Sequence, residues 1–120
     1  MNKTETQHIW TKFLETFSRQ NHNRPTRLGV FEGEPGAMTD FWLEDGLPLG
    51  GIDLDSRGEA APVIEIMLWD REKKDARHFT HTITKARSVK IILSSSGESD
   101  GLDIEDENGA MTILRFENKN

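Results

Sequence analysis

Cysteine is absent from the 120 residues. That absence removes disulfides, thiolate zinc sites and a cysteine nucleophile together, and it leaves oxidising and reducing compartments equally open. No apolar run reaches the length needed to cross a bilayer. The first residues, Met1-Asn2-Lys3-Thr4-Glu5-Thr6-Gln7, lack the apolar core of a secretory signal. Positive charge is in deficit, with 15 Lys and Arg against 21 Asp and Glu, a net charge of −6. A phosphate backbone repels that average. The basic residues that do gather, Arg19 to Arg27 and Arg71 to Arg77, fall in connections rather than along one stripe. The expectation is a soluble cytoplasmic protein with neither a membrane nor a nucleic-acid partner.

What is present suits a single domain over 1–120, with 1–5 and 117–120 as flexible tails. Hydrophobic residues make up 34% and charged residues 30%, and six Phe and three Trp argue against disorder. Thr4-Glu5-Thr6-Gln7 fits a capping box with Thr4 as the cap. Ile9, Trp10, Phe13, Leu14 and Phe17 then form one apolar helical stripe, which Asn21 and Pro25 end. The spacing predicts a helix from about Thr6 to Arg19 with Trp10, Phe13, Leu14 and Phe17 buried.

From Arg27 onward the period is two. Leu28 and Val30 mark a first strand, and Glu32 to Gly36 is turn chemistry. Phe41-Trp42-Leu43 and Leu47 to Leu54 read as a hairpin turning at Asp45-Gly46. Apolar parity changes between Leu49 and Ile52, and Gly50-Gly51 reads as the bulge that absorbs the slip. Val63 to Trp69 is apolar on both faces around Glu65, the pattern of a central strand. Arg71 to Arg77 reads as a hairpin loop, followed by strands at His78 to Ile83 and Val89 to Leu93, a flexible loop from Ser94 to Gly101, and a last hairpin at Asn108-Gly109. The predicted fold is α+β: one N-terminal helix packed on a bent antiparallel sheet, or partly open barrel, of six to eight strands.

Chemistry is sparse. His78 and His81 are three apart on a strand and so face opposite sides, which prevents them from clasping one metal. Parity puts His81 with Phe79 and Ile83 on the apolar face, as a core-edge histidine bonded to backbone, or as a functional one. Glu65, if covered, becomes a candidate carboxylate, and Arg115 between Leu114 and Phe116 is a natural cross-strand partner for an acid. Asp53 to Gly58 and Asp103 to Asn108 imitate calcium loops. They fail at the twelfth position, where Ile64 and Leu114 stand in place of a bidentate Glu. No phosphate-cradling Gly loop, nucleophile elbow or His-Glu-x-x-His occurs, so no cofactor is expected.

Trp10 with Phe13-Leu14-Glu15-Thr16-Phe17-Ser18-Arg19-Gln20, Leu47-Pro48-Leu49-Gly50-Gly51-Ile52, Ile64-Glu65-Ile66-Met67-Leu68, His78-Phe79-Thr80-His81-Thr82-Ile83 and Asn108 to Phe116 form a pattern along nearly the whole chain. In it the chain resembles a bacterial family of small domains of unknown function. The resemblance implies a bacterial cytoplasmic origin, transfers no activity, and directs attention to His78, His81 and Arg115.

Two functions follow. The leading one is a non-enzymatic binding or protein-interaction module, joined to a protein partner or to itself. Its contact residues would be Phe31, Phe41 and Trp42 near turns. The alternative is a small-molecule-binding or enzymatic β-barrel with a pocket around His81, Glu65 and Arg115. Convergence of those three side chains discriminates between the two.

Overall fold

Leu14 and Phe17 sit one turn apart on the helix, and that apolar pair decides where it docks. The computed structural model describes residues 3–32, 39–69 and 78–117. Helix α1 spans Lys3–Gln20, so Thr4 lies inside the helix rather than at its cap, and the expected N-terminal tail is already helical from Lys3. Leu14 and Phe17 are 1% and 2% exposed. The Phe17 ring lies 5.7 Å from that of Phe116 and 6.2 Å from that of Phe13. Trp10 and Phe13 only pack against the core's margin, and Ile9 is exposed. The buried stripe is therefore narrower than the sequence predicts. Asn21 ends the helix, its Nδ2 donating to the Phe17 carbonyl at 2.8 Å. Arg24 then donates to Asn21 Oδ1 at 2.8 Å and lies over the Phe116 ring, 4.2 Å from its centre.

The sheet comprises β1 (Pro25–Glu32), β2 (Thr39–Asp55), β3 (Val63–Trp69), β4 (His78–Ile83), β5 (Ala86–Leu93), β6 (Ser99–Asp106) and β7 (Met111–Phe116). All pairs are antiparallel, in the order β4-β3-β2-β1-β7-β6-β5. Asp45-Gly46 is not a hairpin turn, contrary to the sequence reading, because β2 continues through it for 17 residues. Gly46, at φ +99°, sits where the β1 register slips between Asp45 and Pro48. A second slip leaves Leu43 extra, and a third, against β3, leaves Gly50 extra. Each bulge bends the strand that carries the surplus residue, so the bending concentrates in β2. The Thr26 hydroxyl, fully buried, donates to the Leu47 carbonyl at 2.8 Å within this irregular stretch.

Bent this way, β2 belongs to two layers. Its first half pairs with β1, and its second half pairs with β3. Between the layers lies the core: Leu28, Leu49, Ile64, Ile66, Leu102, Ile104 and Leu114, each 0% exposed, with Leu68 at 1%. Closure into a barrel fails on parity. In an antiparallel sheet of seven strands the two edge strands run in the same direction, and parallel neighbours need a long crossover. Here β4 and β5 are joined only by Thr84 and Lys85. Lys85, at φ +51°, turns a corner between layers, with its N–H on the Ala60 carbonyl at 2.8 Å and the Ala86 N–H on that of Pro62 at 3.0 Å.

The last hairpin turns where Asn-Gly predicts, with Gly109 at φ +87° and Asp106 Oδ1 accepting from the N–H groups of Asn108 and Ala110. The loop before it is shorter than expected. Ser94 to Glu98 forms the turn and β6 already begins at Ser99. The predicted turn from Glu32 to Gly36 and loop from Arg71 to Arg77 fall largely outside the described residues. Among the described residues, no helix is long and apolar enough to cross a membrane.

Candidate functional site

Strand alternation fixes where each candidate side chain goes. His81 faces inward on β4, and its Nε2 lies 3.1 Å from the Thr112 hydroxyl of β7, in the opposite layer. Its partner is thus a side chain rather than backbone. Burial holds its pKa below the usual 6.5. Glu65 points to the other face of its layer, opposite Asp53 on β2 and Thr82 on β4. Arg115 lies on the outer surface of the other layer, donating to Asp103 Oδ1 at 2.8 Å and to the Leu114 carbonyl at 2.9 Å. The structure therefore brings none of these three together. His78 is exposed, with its ring centre 4.5 Å from that of Trp69, its cross-strand neighbour. Phe31 is half-buried opposite Met111 at the end of β1. The side chains of Phe41 and Trp42 lie outside the described residues.

The structure does gather residues that the sequence reading left apart. Bulged Gly50 and Gly51 leave a groove of 510 Å³ between the C-terminal half of α1 and the β2–β3 ladder. An added Cβ at Gly50 would crowd this wall, 3.2 Å from the Met67 carbonyl, whereas one at Gly51 would make an ordinary contact with Met67 Cε at 3.4 Å. Glu15, Ser18 and Arg19 line the groove from the helix, His22 lines it from the turn that follows, and Asp53 and Met67 line it from the strands. Ser18, His22 and Asp53 are the residue types of nucleophile, base and orienting carboxylate. None hydrogen-bonds another in this structure, so no activated serine is assembled. A hint existed in the sequence: Glu15 and Arg19 are spaced four apart on the helix, with Ser18 beside them and His22 just past its end.

A second hollow of 360 Å³ lies at the corner, lined by Glu59, Pro62, Lys85, Arg87 and Glu107. Its cations are already paired, Lys85 with Glu107 at 3.3 Å and Arg87 with Glu105. No group of three His, Asp or Glu placed to hold a metal occurs among the described residues.

The two sheet edges differ sharply. Strand β5 carries Arg87 and Lys90 and two register slips, between Ala86 and Ser88 and between Ile92 and Leu93. Charge and bulges are the usual protection of an edge against further pairing. Strand β4, His78-Phe79-Thr80-His81-Thr82-Ile83, carries no lysine, arginine, carboxylate or proline, and its register with β3 is regular throughout. Among the described residues no strand pairs with its outer side. Compared with profiles of known families, with curated proteins and with solved structures, the chain matches none.

Proposed function

We propose that this chain is a non-enzymatic protein-interaction module that takes an extended segment of its partner along the outer edge of β4. The observation behind this reading is the contrast between a protected β5 edge and a regular, uncharged β4 edge in the same sheet. Alternate residues of an antiparallel edge strand present both N–H and C=O outward, and an added strand satisfies them. Side chains give the choice of partner. Thr80 and Thr82 offer small β-branched surfaces, His78 on Trp69 an aromatic one, and Phe79 and His81 the margin of the core. The reading keeps the protein in the cytoplasm and off nucleic acid, in line with its net charge of −6.

The test is a titration with an extended peptide of alternating valine and threonine, read by residue-resolved amide exchange. Slowed exchange along β4, lost in Thr80→Lys and in Thr82→Pro, supports the proposal. Changes confined to the groove beside α1, or none anywhere, count against it.

A further inference from the structure

Resting on that reading, we infer that the segment β4 takes is basic, an extended peptide with lysine or arginine on the face that continues Asp53, Glu65 and Thr82. Those three residues form one row across β2, β3 and β4, and the next place in the row belongs to the added strand. Asp53 and Glu65 stand directly opposite each other, a like-charge pair that costs stability. Neither has a hydrogen bond or ion pair among the described residues, whereas neighbouring Asp55 is held by Arg57 at 3.4 Å. The strand that joins β4 can supply the missing positive charge.

The distances allow it. With strands spaced about 4.8 Å apart, a residue opposite Thr82 stands about 10 Å from Glu65 and about 15 Å from Asp53. A lysine stem can cover Thr82 and bring its ammonium closer still. The adjacent row, Gly51, Met67 and Thr80, carries no charge and favours an aliphatic residue two places along the peptide. Even without side-chain reach, the two carboxylates attract each lysine by a factor of about threefold in affinity at low salt. The chain's net charge of −6 steers encounter in the same direction. A second copy of this chain fits less well, because β4 brings no cation to the row.

Two blocked ten-residue peptides of alternating valine and threonine, one with lysine and the other with glutamate at a single central position, are titrated into the full-length protein with β4 amide exchange as the readout. The lysine peptide is expected to bind more tightly than the glutamate peptide by about tenfold, about threefold from attraction and about threefold from the repulsion it avoids, and the gap closes in about 0.5 M salt. The double variant Asp53→Asn, Glu65→Gln is expected to remove most of the preference while exchange along β4 still slows. Equal binding of both peptides to the wild type, or tighter binding of the glutamate peptide, overturns the inference and leaves strand docking standing. Slowing by neither peptide overturns both. Protection of β4 that grows with protein concentration, without peptide, assigns the edge to a second copy and overturns the basic-peptide inference.

Discussion

Replacing Gly101 with alanine tests how tightly β6 and β7 are locked together. An ideal Cβ there would collide with the backbone carbonyl oxygen of Leu114 and lie 2.9 Å from Cδ and Nη1 of Arg115. The arginine can swing aside. The carbonyl cannot, because it belongs to the facing strand at a residue with 0% exposure. The two strands must part around the Gly101–Arg115 pair, weakening two or three ladder hydrogen bonds worth about 1 kcal/mol each. Displacing the partly buried Arg115–Asp103 bridge adds about 1 kcal/mol or less. Alanine returns about 0.4–1 kcal/mol by restricting the unfolded chain. The expected net loss is about 2–3 kcal/mol, or about 10 °C in Tm for a chain of this size. Urea unfolding followed by tryptophan fluorescence measures it, with an unchanged slope against denaturant. Adding Arg115→Ala should not restore stability, since the carbonyl is the obstacle. A loss under about 0.5 kcal/mol, or rescue by the arginine deletion, would refute the reasoning.

Phe17→Ala should cost about 3–5 kcal/mol, because it opens a cavity between α1 and Phe116. Phe13→Ala, at the core's margin, should cost less than half as much in the same urea assay. His81 gives a pH signature. Burial favours its neutral form, so on acidification the unfolded chain takes up that proton first. Stability should therefore fall as pH drops below 6.5, with no contribution from this residue above it, and His81→Gln should flatten that part of a urea-midpoint profile. Asp55, lowered by hydrogen bonds from Arg57, loses its contribution only near and below 3.8 and so leaves that window clear. Zinc calorimetry should show no one-to-one site shared by His78 and His81, which face opposite sides of β4.

Much of this architecture can be read from local pattern, because local pattern determines it. The helix, the strands at Val63 and His78, the Asn108-Gly109 hairpin and the Gly50-Gly51 bulge all follow from spacing and turn chemistry within a few residues. Gly46 misleads for a physical reason: a glycine with positive φ serves a hairpin turn and an in-strand bulge equally well, and only pairing with β1 on one side and β3 on the other decides. The site is less legible. The parity of His81 is readable, but its bond to Thr112 depends on the two layers folding together. The separation of Glu65, His81 and Arg115 depends on strand order, and the Asp53–Glu65 row depends on register. The narrow stripe of α1 reflects a helix seated on β2, where Leu14 and Phe17 fill the available space and Trp10 remains at the rim.

The most direct test of the central claim is residue-resolved amide exchange along β4 in dilute protein without any peptide. An open edge predicts alternation: residues bonded to β3 exchange slowly, and their neighbours, whose N–H groups point outward, exchange close to the rate of unprotected amides. If every amide from His78 to Ile83 is as protected as those of Ile64, Ile66 and Leu68, the edge is already covered and the account of this chain as an edge-docking module is contradicted.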